Sequence, residues 1–444
     1  MPRTCIAIIL LVLLLVLPLS ARADWLPEWS GTWEHPEPMR AIHPRELLPL
    51  VDGSVLAFAD VTHHGTAHAT LVRFEADGRF AWLRERSAIE VADARPIAAG
   101  RVVIVGSDAS VFARVLDAGS GDFVHECGWS GVQLGHDERD RTRVVAESAA
   151  GELLVRAREG GDLVILRCNA LGQTLPEWRW PSGLAAIRPD DLVALPDGGA
   201  IATARGFTGD GYYALRFDAA GAPTLLDSEP GEIGNPLGAA HVAVDAAGDV
   251  LIAAAPESSF GVPQAQAWKI APDGTRLWTR VVEVDGVLHP NLDIGGFALA
   301  PDGDLVIAVA PPSGPFRVLR LAGEDGSTRW DSTAAIGDNP TDLALAATGR
   351  VLVGGYDHIP GSGGLVTGRI AEFDADGTPC RHATALDYGS KLRVSSGTGG
   401  WSVLGGTAFV QGAGNDLVVQ RFDADGACAG DGDRIFADGF DPAP

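Results

Sequence analysis

Lysine is almost missing from this chain of 444 residues; Lys269 and Lys391 are the only two. Neither stands in a Gly-Lys-Ser/Thr context, which excludes a phosphate-cradling loop of the usual kind. Positive charge is scarce altogether, with 34 Lys and Arg against 58 Asp and Glu and a formal net charge of −24. Such a surface repels nucleic acid and anionic lipid heads and favours solubility, cations or basic partners. There is no Cys-x-x-Cys pair, no adjacent cysteine pair, no Gly-x-Ser-x-Gly elbow and no His-Glu-x-x-His helix. Those absences remove the common metal and nucleophile signatures. The one long apolar run, Ile6 to Leu17, is shorter than the roughly 18 residues a membrane helix needs. No helical periodicity of useful length follows it.

That run lies between Arg3 and Ala21-Arg22-Ala23, the layout of a secretory leader with cleavage expected after Ala23. No lipoprotein cysteine precedes the cleavage point. The expectation is therefore a secreted or periplasmic protein without a membrane span; the tail Phe436-Ala437-Asp438-Gly439-Phe440-Asp441 resembles the endings of many exported proteins of Gram-negative bacteria, and that resemblance implies a Gram-negative type. Losing Arg3 and Arg22 leaves the mature chain near −26. Four cysteines remain: Cys127, Cys168, Cys380 and Cys428. An even number in an exported chain favours two disulfides. Three pairings are open, and membership of neighbouring units favours Cys127–Cys168 and Cys380–Cys428.

What is present is a repeat. From Leu299 to Ser332 two Asp-Gly turns, at Asp302-Gly303 and Asp325-Gly326, join short apolar runs, a hairpin signal occurring twice. The unit is four strands, a to d, with tight a–b and c–d turns and a looser b–c loop. The c–d glycines recur as Gly78, Gly121, Gly172, Gly221, Gly274, Gly326, Gly377 and Gly426, and the a–b glycines as Gly53, Gly100, Gly151, Gly198, Gly248, Gly303, Gly349 and Gly399. Both series share a period of about fifty residues. Aromatics keep step with the turns, Phe74, Phe217, Phe373 and Phe422 before them and Trp82, Trp278 and Trp330 after. The b strands, such as Val102-Val103-Ile104-Val105, are apolar on both faces and so belong between stacked sheets. Eight such units predict an all-β fold, a β-propeller of about eight four-stranded antiparallel blades. A linear β-solenoid is the alternative.

The eighth unit lacks its d strand, and Leu26-Pro27-Glu28-Trp29 repeats the Leu175-Pro176-Glu177-Trp178 of the third. Pairing the N-terminal segment with the last blade would close the ring and remove two exposed edges. The organisation expected is a leader over 1–23, a latch segment over 24–46, eight repeats over 47–430 and a flexible tail over 431–444.

Units seven and eight carry a likeness to a known family. Gly349-Arg350-Val351-Leu352-Val353-Gly354-Gly355-Tyr356 with Glu372-Phe373-Asp374-Ala375-Asp376-Gly377, and again Gln420 to Gly426, resemble the bacterial repeat nicknamed delta-sixty. Leu116 to Gly121 and Pro272 to Trp278 are similar to the quinoprotein-like (PQQ-like) propeller repeat. Both resemblances imply blades and no particular active site.

Candidate chemistry is confined to loops. Asp60, His63, His64 and His68 could hold a divalent metal, zinc or copper, though an exposed polar loop explains them as well. Asp423-x-Asp425 and Asp431-x-Asp433 read as turn chemistry before calcium loops. His136, Asp137, Glu138 and His289 sit in connections that share a face with the His63 loop, so they are ligand-face candidates. No catalytic residue and no cofactor is assigned. The expectation is a monomeric, non-enzymatic binding or scaffold protein, taking an unknown protein, glycan or small ligand through one loop face. The alternative is an enzyme on the same scaffold, quinoprotein-like or acting on polysaccharide. The acidity of the ring is expected to concentrate negative field in the central funnel.

Overall fold

The computed structural model describes residues 27–34, 41–63, 66–135, 142–206, 211–229, 239–255, 265–284, 287–288, 292–311, 314–333, 337, 339–358, 366–387, 392–397, 402–410 and 414–422. Eight four-stranded antiparallel sheets follow one another along the chain. The first blade is Ala41–Pro49, Val55–His63, Thr66–Phe74 and Phe80–Ala88, in the order a-b-c-d. The eighth is built from Arg393–Ser396, Ser402–Val410 and Gly414–Phe422, and its fourth strand is Trp29–Trp33 from the start of the chain. That strand pairs antiparallel, Trp29 opposite Arg421 and Trp33 opposite Leu417. The ring is closed by an N-terminal strand, as the missing d strand of the eighth unit implies. One element without a sequence signal is a two-residue hairpin, Glu283–Val284 with Val287–Leu288, between the fifth and sixth blades.

The twofold apolar b strands are explained by two cores. In Arg101–Ser107, Val103 and Val105 enter the cluster shared with the third blade, while Val102 and Ile104 enter the one shared with the first. Each such side chain, fully buried, contributes about 1.5–3 kcal/mol, so every b strand stabilises two blade junctions at once. Phe74, Phe217, Phe373 and Phe422 are all fully buried beside their turns.

The glycines of the c–d turns serve a second purpose beyond a positive φ. Trp330, on the d strand of the sixth blade, lies over Gly377 of the seventh, whose φ is +85°. A Cβ there would come within 2.5 Å of the indole. The indole Nε1 donates to Ala375 O at 3.0 Å. Trp82 repeats the arrangement over Gly121 and donates to Gly119 O at 2.8 Å. Trp29 of the closing strand covers Gly78 in the same way. The recurrent tryptophans are therefore junction residues, which is why they keep step with the turns.

Because strands alternate in direction, the described a–b and c–d turns lie on one face of the ring, and the described b–c loops and d–a connections on the other. The a strands line the middle.

Candidate functional site

In the central channel seven blades present a residue of the a strand, Glu46, Asp93, Asp191, His241, Gly296, Asp342 and Arg393, and the third presents Arg143, two residues before its a strand Val145–Glu147. Local backbone irregularity puts several of them there. The a strands shift register between Pro44 and Glu46, Val91 and Asp93, Pro189 and Leu192, Ile294 and Gly296, and Pro340 and Asp342. Three of these shifts begin at a proline, which cannot donate to a ladder and suits an edge strand at a bulge. A bulge bends the strand and re-aims the side chains beside it. Seven of the eight positions, all but Gly296, line a channel cavity of about 470 Å³, together with Arg45, Arg95 and the ring of Phe297.

Most of these charges are spent on holding neighbouring blades. Asp191, in the fourth blade, accepts from Arg143 N at 2.8 Å and pairs with the Arg143 guanidinium at 3.0 Å, in the third. It also accepts from Val242 N of the fifth at 2.9 Å. Burial pushes its carboxyl up, but Arg143 and these hydrogen bonds more than offset that, and its pKa stays below the usual range. Asp93 accepts from Val144 N at 2.7 Å across the second junction, and Asp342 from Val394 N at 3.0 Å across the seventh. Arg45 pairs with Asp60 at 3.2 Å, and Arg95 with Asp93 at 3.1 Å and Glu46 at 3.3 Å. Burial raises the Glu46 carboxyl to about 7, against the opposing pull of Arg95.

The lining thus carries four arginines and four carboxylates. This corrects the expectation of a negative funnel: the acidity of the chain lies elsewhere, and the channel wall is balanced. The sequence did carry a signal for the ring. Pro44-Arg45-Glu46, Pro189-Asp190-Asp191 and Pro340-Thr341-Asp342 are a proline two residues before an acid, in phase with the repeat.

On the loop face a second cavity of about 620 Å³ lies over the second to fourth blades. Its wall includes Glu90, the Ser107 to Ser110 loop, the Gly131 to Gly135 connection, Arg158 and Arg188. Arg158 and Gln133 exchange main-chain hydrogen bonds at 2.7 and 2.9 Å, which pins the connection to the third blade. Burial and the charge of Arg188 lower the Arg158 pKa. Ile89 stands at the rim with 79% of its surface exposed.

The loop residues singled out in the sequence fare differently. Asp60 and His68 lie on adjacent strands, but Asp60 is opposite Ala69 and His68 opposite Val61. Alternation therefore puts them on opposite faces of the sheet, and Asp60 is already committed to Arg45. His63 closes its strand opposite Thr66. His64, His136, Asp137, Glu138, His289, Cys428, the leader, the tail and both Asp-x-Asp pairs near the C-terminus lie outside the described residues.

Cys127 and Cys168 form a disulfide with Cα atoms 6.3 Å apart, tying the d strand of the second blade to the c strand of the third. Cys380 is disulfide-bonded too. His125 stands close to the Cys127–Cys168 sulfurs, the one cluster of potential metal ligands among the described residues. With both sulfurs in a disulfide, no thiolate is available there. No helix among the described residues is long and apolar enough to cross a membrane.

No family model matches the chain. Its fold is similar to that of two solved structures. BamB from Moraxella catarrhalis superposes with a TM-score of 0.51 at 14% identity, over 88% of this chain and 99% of that one. The Dos1 propeller superposes with a TM-score of 0.53 at 10% identity, over 90% of this chain and 95% of that one. At these identities the likeness is one of fold, and the fold is the β-propeller.

Proposed function

We propose that the protein is an exported, non-enzymatic scaffold that holds a protein partner on its loop face, over the second to fourth blades. One observation carries this reading. Ile89, a large aliphatic side chain, stands exposed at the rim of the 620 Å³ cavity, flanked by Glu90, Arg158 and Arg188. An apolar anchor ringed by polar groups is the anatomy of a protein-binding hot spot. Most of the channel carboxylates, by contrast, are engaged in joining blades, as Asp93, Asp191 and Asp342 are. Export is supported by the leader pattern and by the disulfides, which persist in oxidising compartments.

The test is site-specific photo-crosslinking in the producing cell, with the reactive side chain at position 89 or, as control, at Leu277 on the outer rim, 48% exposed. A single defined protein adduct from position 89, with none from position 277, is the expected result. No adduct at position 89, or equal adducts at both, would overturn the assignment. N-terminal sequencing of the purified protein should begin at Asp24; a chain beginning at Met1 contradicts export by leader cleavage.

A further inference from the structure

We propose that the central channel is a carboxylate-binding site, anchored by the Arg393 guanidinium and gated by the charge on Glu46. Arg393 belongs to the a strand of the eighth blade, is only 7% exposed and lines the 470 Å³ cavity. Its Nε donates to Arg45 O at 2.6 Å and its Nη1 to Leu392 O at 3.2 Å. Those two bonds fix the plane of the group and leave three of its five N–H donors unused. Among the described residues no carboxylate lies within ion-pair distance of it. The other arginines of the lining each have one: Arg45 has Asp60, Arg95 has Asp93 and Glu46, and Arg143 has Asp191. Asp342, on the neighbouring blade, spends its oxygens on Leu343 N and Val394 N at 2.9 and 3.0 Å.

A buried guanidinium whose carboxylates, Asp342 and Glu46, act only from beyond ion-pair distance is costly to keep, on the order of several kcal/mol. Burial lowers its pKa accordingly, but it remains a cation. An entering anion supplies the missing contact partner, and a planar carboxylate matches the free end of the planar fork in two parallel bonds. The far wall of the cavity offers a surface for the rest of the ligand, since His241 and Phe297 stack there with ring centroids 5.5 Å apart. The cavity volume falls within the range of small-molecule sites, about 300–1,000 Å³.

Glu46 couples the site to protons. It is faced by Arg45 from its own strand, Asp93 and Arg95 from the second blade, Asp342 from the seventh and Arg393 from the eighth, with His241 across the cavity. Ionised, it partly offsets Arg393 and repels an incoming carboxylate; protonated, it does neither. Its carboxyl titrates at about 7, so anion entry near neutrality takes up a proton. The site is separate from the loop-face cavity, and it stands or falls independently of the partner proposed there.

The test is calorimetry on the full mature chain with benzoate and glucuronate as probes and benzamide and glucose as their uncharged counterparts. Binding of either acid with its neutral counterpart silent is the expected result; benzoate alone indicates an aromatic ligand body and glucuronate alone a sugar. Affinity should rise by up to about tenfold from about pH 8 to about pH 6, over which both acids stay ionised. Arg393→Lys, which keeps a charge but loses the fork, should weaken binding at least about tenfold. Glu46→Gln should bind with no such pH dependence. Silence from both acids, equal binding of acid and neutral probe, or unchanged affinity in Arg393→Lys overturns the site. A pH dependence that survives Glu46→Gln overturns the role of Glu46.

Discussion

The channel wall and the loop-face rim are both rich in charge, yet the channel charges bridge neighbouring blades while those of the rim border an open surface. In the channel, Asp93, Asp191 and Asp342 each reach across a blade junction to main-chain N–H groups of the next a strand. At the rim, Glu90, Arg158 and Arg188 surround an open cavity and an exposed Ile89. The lesson is that a charged, concave, central position is not by itself a functional site. A buried charge that already has its partners is part of the frame, and removing it leaves others uncompensated. Arg393 is informative because, alone among the channel arginines, it has no carboxylate within ion-pair distance among the described residues.

This contrast can be broken in stages. The largest effect is expected from Asp191→Ala, which strips Arg143 of its counter-ion and leaves Val242 N unsatisfied. A loss of about 3–5 kcal/mol in denaturant unfolding is expected; a loss under about 1 kcal/mol would place Asp191 with the rim. Replacing Cys127 and Cys168 together by Ser should cost about 2–4 kcal/mol, since the bridge closes a loop with a sequence separation of 41. Thiol titration of the denatured, unreduced protein should find no free thiol at Cys127, Cys168 or Cys380; reactive thiols there would contradict the oxidised junctions.

A smaller and pH-dependent effect belongs to Glu46. Its folded pKa lies above its unfolded value, so the neutral form is the favoured one in the folded state. Its contribution is fully present below the unfolded pKa and is lost as pH rises through about 7. Glu46→Gln should therefore match the parent most closely at about pH 4 and be more stable by about 1–2 kcal/mol at about pH 8. Asp191 has the opposite sign: its pKa is lowered, and its contribution is present above the unfolded value and lost in acid. A parent protein whose stability does not fall between about pH 5 and about pH 8 would contradict the placement of Glu46. The smallest effect is expected from Ile89→Ser. Stability should stay within about 0.5 kcal/mol, as for other exposed positions, while partner capture is lost.

The frame was legible in the sequence to an unusual depth, and the site was not, for one physical reason. A hairpin turn is local, so Asp-Gly at fixed intervals reports each turn directly, and two glycine series in phase report the ring. The missing d strand of the eighth unit and the repeated Leu-Pro-Glu-Trp gave the closure. A channel residue is one side chain per blade, about fifty positions from its neighbours, and each alone is an ordinary Asp or Arg. Only the proline two residues before Glu46, Asp191 and Asp342 marks it, and the other five blades lack that proline. Attention went to Asp60, His63, His64 and His68 because they are adjacent in sequence, yet strand alternation separates Asp60 from His68.

The assignment of the channel charges to the frame is tested most directly by a double-mutant cycle between Arg143 and Asp191, read by denaturant unfolding. Arg143→Ala, Asp191→Ala and the double variant should give a coupling energy of about 1–3 kcal/mol, with the double variant scarcely less stable than Asp191→Ala alone. Strict additivity of the two single losses would show that these charges do not hold the third, fourth and fifth blades together.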